Sequence, residues 1–250
     1  VKNSPIQETN KRTGSLVRIA EAPQQLTFDL SDGRIPVPDN RRYFPVIGMV
    51  EAEWMWSGTK DPALMMEHYP KIWGDFIEGG EIKAAYGHRW RHEFGRDQIE
   101  LAIEALKNDP TDRQVCLSAW HPGEDGLGAP NLPKNIPCPA FVHMYIAGGK
   151  LNMSVFIRSS DVFVGLPYDI MTYTVLLHKF RNAISDDLKA GVLSITTSHT
   201  HLYEKHVDLV VAGDGKDYSF PLFDNIHVAK DYQKYEYVKH EFNIKPGLVI

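Results

Sequence analysis

Apolar and polar positions divide the chain into a few readable elements. Residues 44–56, FPVIGMVEAEWMW, are apolar at helical spacing on nearly every side, and Ser57 and Gly58 end the run. This predicts a buried helix carrying two carboxylates, Glu51 and Glu53. In residues 97–109, DQIELAIEALKND, Ile99, Ile103 and Leu106 share one helical face, with Asp97 as N-cap and Pro110 as the stop. Residues 114–120, QVCLSAW, are apolar and partly β-branched, as in a strand. The following HPGEDGLGAPNLPKNIP, 121–137, holds too much Gly and Pro for anything but a loop. From 141 to 161, FVHMYIAGGKLNMSVFIRSSD reads as two strands turned at Gly148 and Gly149, with Leu151, Met153, Val155 and Ile157 alternating onto one buried face. Residues 168–184, YDIMTYTVLLHKFRNAI, return to helical spacing, and 191–203, GVLSITTSHTHLY, form another strand. The order predicts an α+β fold with antiparallel pairing.

Composition narrows the classes. With 250 residues, 43% hydrophobic and 24% charged, and with no repeat or linker-like tract, the chain reads as a single domain spanning 1–250 with one substantial core. A formal charge of −5 argues against tracking along nucleic acid and leaves an anionic small molecule open. Two cysteines, Cys116 and Cys138, make no disulfide framework. No apolar stretch approaches the roughly 20 residues that cross a bilayer, and the start VKNSPIQETNKRTG lacks the apolar core of a secretion signal. A cytoplasmic protein without membrane contact is expected.

Candidate chemistry begins at Cys138, held between Pro137 and Pro139. Prolines on both sides restrict the backbone, which suits a nucleophile's mount, although a buried cysteine also serves as a small hydrophobe. Arg158 with Ser159, Ser160 and Asp161 closes the second hairpin strand. An arginine fork beside a hydroxyl suits a phosphate monoester, and it equally suits a surface strand end with a local salt bridge. Arg12 and Arg113 lie in turn-like surroundings where backbone amides can join them around a phosphate. Glu51 and Glu53, two apart on a helix, face different ways, and a carboxylate in an apolar helix is either paired or used. His199, His201 and His206 lack metal-ligand spacing, so no metal is expected.

Taken in order, KRTG, EAEWMWSG, IWGDF, YGHRW, NDPTDRQVCLSAW, PCPAF, GGKLNMSVFIRSSDVFVGLPYDI and THLY resemble the thymidylate synthase superfamily from Arg12 to about His206. The resemblance implies that family's α+β fold, a mixed or antiparallel sheet packed with helices, and a homodimer formed through the sheet. Cys138 resembles the nucleophile that adds to C6 of a pyrimidine nucleotide. Glu51 resembles the carboxylate that organises water and proton transfer around the ring, and Tyr86, in the YGHRW segment, is carried over as catalytic. Arg12, Arg158 and Ser159 resemble phosphate ligands, and Arg113 resembles an arginine donated by the second subunit. His201 and Tyr203 match the pair that holds the sugar 3′-hydroxyl. Ile72, Trp73, Asp161, Val164, Gly165 and Tyr168 match the pocket for 5,10-methylenetetrahydrofolate, the implied one-carbon donor.

The departures sharpen the expectation. Asp169 stands where thymidylate synthases have Asn, the residue that reads the uracil edge. Ionised, a carboxylate accepts from the cytosine amino group but meets uracil O4 acceptor to acceptor; protonated, it donates to cytosine N3. An unsatisfied group costs about 1–3 kcal/mol, roughly ten- to hundredfold in preference. The same exchange marks the deoxycytidylate hydroxymethylases of the superfamily, whose phage members supply modified cytosine for DNA. The implied reaction is therefore C5-hydroxymethylation of dCMP, in host cytoplasm if the chain is phage-encoded. A helix-capping role for Asp169, a dCMP methyltransferase that releases dihydrofolate, a CMP hydroxymethylase, dUMP methylation and a silent nucleotide-binding regulator are the alternatives. Trp73 and the terminal GLVI resemble features that close over folate in the methylating enzymes. Gln114 replaces a second arginine, Pro139 a histidine and His143 a glutamine, while His199 stands where relatives usually have Asp or a small residue, a change with no account from the resemblance.

Overall fold

The computed structural model describes residues 1–11, 13–38 and 43–210, together with the backbone of 219–221. Three N-terminal strands come first: β1 (Gln7–Thr9), β2 (Leu16–Ile19) and β3 (Gln24–Asp29), followed by the short β4 (Arg34–Pro36). Helix α1 (Pro45–Ser57) follows the predicted run closely. Pro45 opens it, where a missing N–H costs nothing, and it buries residues on all sides from Val46 to Met55. Helices α2 (Ala63–His68) and α3 (Pro70–Trp73) lead to α4 (Tyr86–His88), which continues as a wider π turn over Arg89–Glu93. Helix α5 (Gln98–Asn108) has the predicted cap: the Asp97 carboxylate accepts from the backbone N–H groups of Ile99 and Glu100, each at 3.0 Å.

The remaining elements are β5 (Cys116–Ser118), β6 (Pro139–Ala147), β7 (Lys150–Asp161), α6 (Gly165–Ile184), β8 (Lys189–Tyr203) and β9 (Ser219–Pro221), which pairs with β4. The main sheet runs β1-β2-β8-β7-β6-β5, with β3 also paired to β8. β6 and β7 form the predicted hairpin, turned at Gly148 and Gly149, whose φ values of 58° and 72° suit glycine.

One expectation is corrected. β8 runs parallel to β7, not antiparallel, because the 20-residue α6 carries the chain back between them. Side-chain alternation is the same for either direction, so periodicity alone could not distinguish them. The sheet is accordingly mixed, mostly antiparallel, and packed with helices in an α+β architecture.

Helices α1 and α6 cover the face carrying Met153, Val155, Ile157, Leu193 and Ile195. They cross closely at Gly48, where a Cβ would meet the Met171 side chain at 2.7 Å. On the opposite face Phe141, Tyr145 and Phe156 remain 43%, 38% and 40% exposed. No helix among the described residues is long and apolar enough to cross a membrane.

Candidate active site

The last residues of β7 and β8 line a cleft of about 590 Å³. Cys138 enters it from the loop before β6. Arg158 grips this loop from behind: its Nε donates to Pro137 O at 2.8 Å and its Nη2 to Ile136 O at 2.9 Å. The Arg158 backbone N–H also donates to Cys138 O at 2.9 Å. Trp120 backs the guanidinium, with its ring centroid 5.6 Å away. Pro139 cannot donate to the ladder, and the β6–β7 register shifts between Pro139 and Phe141. The prolines and Arg158 thus hold the thiol segment, and a permanent positive charge stands behind it.

Asn135 fixes this loop against the segment that leads into α4. Its side chain accepts from Ala84 N at 3.2 Å and donates to Ala84 O at 3.0 Å. Tyr86 follows two residues later, and its hydroxyl is hydrogen-bonded to the Cys138 backbone. The Arg89–Asp125 ion pair, fully enclosed, ties the following turn to the long loop; Arg89 also donates to Ala119 O at 2.8 Å.

Three acidic groups converge on the thiol. Burial pushes the Glu51 carboxyl up to about 8, with the Asp169 charge adding to the rise. Burial also pushes Asp169 up to about 7, with Asp161 as the second cause. The Tyr86 phenol is raised well above its ordinary value, first by burial and then by the charges of Cys138, Glu51 and Asp169. Because these groups sense one another, they titrate as a set rather than as independent acids. Glu53 turns away and pairs with Lys179 at 2.5 Å, so of the two helix carboxylates only Glu51 faces the cleft.

Asp169 is the fifth residue of α6, beyond the four amides that a cap serves, so it does not cap this helix. Asp161 takes up amides there: its Oδ1 accepts from Phe163 N at 2.9 Å and Val164 N at 3.3 Å. Ser159, His201 and Tyr203 line the same cleft, with the His201 and Tyr203 rings edge to face at 5.4 Å. Across the cleft lies an apolar shelf. Trp73 meets Trp54, Phe76 and Tyr86, with centroids at 5.2, 5.7 and 6.1 Å, and Tyr168 stacks on Tyr43 at 5.1 Å. Ile72, Val164 and Gly165 complete this side.

Nearly all the residues picked out in the sequence therefore meet in one cavity. Arg113 is exposed and absent from the walls of its own chain's cleft; its carbonyl faces His143 Nε2 at 3.2 Å. Arg12 and the terminal GLVI lie outside the described residues. Sequence reasoning missed Asn10, Ile47, Lys71, Phe76 and Asn135, which also line the cleft, as does Ser160 from the cluster after Arg158. Two of these had a signal: Lys71 precedes the Ile72–Trp73 pair, and Asn135 lies three residues before the thiol. Among the described residues, no three His, Cys, Asp or Glu side chains are grouped as metal ligands.

A thiol on a held loop, raised carboxyls and an aromatic shelf share this cleft, an arrangement chemically suited to covalent addition to a flat ring. The family model for thymidylate synthase matches residues 1–240. The chain belongs to the thymidylate synthase family. It is a one-carbon transferase of that family, which acts on a pyrimidine nucleotide with methylenetetrahydrofolate as co-substrate.

Proposed function

We propose that the chain hydroxymethylates C5 of dCMP. The observation that carries this reading is Asp169, a carboxyl raised to about 7 in the cleft that also holds Cys138. Thiolate addition to C6 of cytosine makes N3 basic, and cytosine, unlike uracil, has no N3 proton of its own. A carboxyl titrating near neutrality can deliver that proton, whereas an asparagine amide can only hydrogen-bond. Cys138 is the nucleophile, and Arg158, with Ser159, binds the phosphate. Arg12 belongs to the same phosphate group by its resemblance alone. His201 and Tyr203 hold the sugar hydroxyl.

The shelf of Ile72, Trp73, Phe76, Val164 and Tyr168 fits a flat pterin ring, and Gly165 and Asp161 border it. Methylenetetrahydrofolate bound there supplies a methylene carbon to C5. Glu51, neutral below about 8, holds water and moves protons at C5 and its substituent. C5 loses its proton and tetrahydrofolate leaves, water adds to the exocyclic methylene and Cys138 departs from C6 to give the hydroxymethyl product, whereas hydride from the folate would give a methyl group and dihydrofolate.

The working unit is a homodimer joined through the open sheet face, where Phe141, Tyr145 and Phe156 present apolar surface. Arg113, exposed and remote from its own cleft, serves the partner's phosphate site.

The test is turnover of dCMP, CMP and dUMP with methylenetetrahydrofolate, followed by the product mass, for wild type and Asp169→Asn. A hydroxymethyl product from dCMP and a shift toward dUMP in the variant are expected. A methyl product with dihydrofolate release would assign a methyltransferase instead. Unchanged base choice in Asp169→Asn would remove Asp169 from base recognition.

A further inference from the structure

His199 lies outside every role considered so far, yet its position is specific. In the parallel β7–β8 ladder it pairs with Ser159, as His201 pairs with Asp161. Residues paired in this way, and residues two apart on one strand, share a face. His199 therefore stands on the face of Ser159, Asp161, His201 and Tyr203, one step outside the cleft wall and exposed.

Its contacts with His201 favour one tautomer. His201 Nδ1 lies 3.3 Å from the His199 main-chain oxygen and 3.4 Å from His199 Nδ1. A carbonyl oxygen only accepts, so this 3.3 Å contact favours the tautomer with the proton on His201 Nδ1, and the ring contact adds to that preference. That one N–H is shared between the carbonyl and the His199 ring, whose Nδ1 then presents its lone pair. His201 Nε2 is left with a free lone pair, the form that accepts a hydrogen bond from a hydroxyl group. Burial lowers the His201 pKa, so the ring that makes these contacts is neutral near pH 7, and Asp161, its neighbour in the ladder, opposes that shift without reversing it.

We propose that His199 is a positioning residue: its ring and main-chain acceptors together hold His201 in the Nδ1–H tautomer, leaving Nε2 to accept the sugar 3′-hydroxyl of the nucleotide. This deepens the dCMP reading and rests on it for the identity of the hydroxyl. The tautomer itself does not depend on that reading.

The consequence is selective. Without the ring acceptor, His201 keeps only the main-chain acceptor, so its preference for Nδ1–H weakens and the other tautomer, which offers a donor where an acceptor is needed, gains population. A ligand lacking the 3′-hydroxyl is insensitive to the change. Asparagine carries an acceptor oxygen near the place of the imidazole Nδ1, so it substitutes for the ring, whereas alanine does not.

The experiment measures dissociation constants of dCMP and 2′,3′-dideoxycytidine monophosphate for the full-length protein, as wild type, His199→Ala and His199→Asn. Long-range nitrogen–proton NMR of the free proteins reports the His201 tautomer alongside. His199→Ala is expected to weaken dCMP by about three- to tenfold, the size of one lost hydrogen bond, and to leave the dideoxy ligand unchanged. His199→Asn behaves as wild type, and the NMR shows Nδ1–H in wild type and His199→Asn but a mixture in His199→Ala. Equal weakening of both ligands, failure of asparagine to restore dCMP affinity, or an unchanged tautomer in His199→Ala would overturn the proposal. If wild type binds none of dCMP, CMP and dUMP, the nucleotide reading fails with it, while the NMR still decides whether His199 sets the tautomer.

Discussion

Replacing Glu51 with glutamine should make the protein more resistant to alkaline conditions. Its carboxyl is raised from 4.5 to about 8 in the folded protein, first by burial and then by Asp169. The folded state therefore binds this proton more tightly than the unfolded chain does. Glu51 contributes fully below about 4.5, and that contribution is lost as pH rises toward about 8, beyond which the loss is complete. Between about pH 5.5 and pH 8, each unit corresponds to about 1.4 kcal/mol, giving about 3 kcal/mol for an isolated group. Glu51 borders the cleft, where water relaxes part of the penalty, so about 2 kcal/mol is the working figure. Urea unfolding of wild type and Glu51→Gln at about pH 5.5 and about pH 8.5 reads Glu51 together with its coupling to Asp169 and Tyr86, the remaining titrating groups being common to both proteins. The variant should gain about 2 kcal/mol relative to wild type at the higher pH. A stability difference that does not change between the two pH values would mean that Glu51 is not held neutral in the fold.

Two further predictions concern the scaffold. Asp125→Ala leaves the Arg89 charge enclosed without its main partner and should cost about 3 kcal/mol in urea unfolding; a loss below about 1 kcal/mol would show that Arg89 finds a substitute. Phe156→Asp puts a charge on the open sheet face, and for the homodimer proposed above sedimentation should then show at least about tenfold weaker association; an unchanged dimer would place the interface elsewhere, and a monomeric wild type would refute the proposed dimer.

Much of this molecule was legible in the chain because the signals were local. Helix α1 and the β6–β7 hairpin follow directly from the spacing of apolar residues, and Asp97 announces α5 through its own side chain. β1 was not legible, since its three residues are all exposed and show no alternation. β3 alternates at Leu26 and Phe28, but two half-buried positions among polar neighbours make a weak signal. The direction of β8 is a property of the crossover and leaves no mark on the strand itself.

The same division holds at the cleft. Cys138 and Arg158 stood out through chemistry and flanking prolines. The hold of Asn135 on Ala84, 51 residues away, exists only once the chain is folded. His199 looked idle in the sequence because its partners are a main-chain oxygen and a ring brought together by strand geometry.

Covalent chemistry in this cleft depends on the Cys138 thiol. The most direct measurement is tritium release from C5-labelled dCMP in the presence of methylenetetrahydrofolate, comparing wild type with Cys138→Ser. Release by wild type and a loss of at least about a thousandfold in a folded Cys138→Ser protein are predicted, since a hydroxyl without a base to activate it is a poor nucleophile. Near-normal release by Cys138→Ser, or no release by wild type from dCMP, CMP or dUMP, would contradict covalent addition at this site.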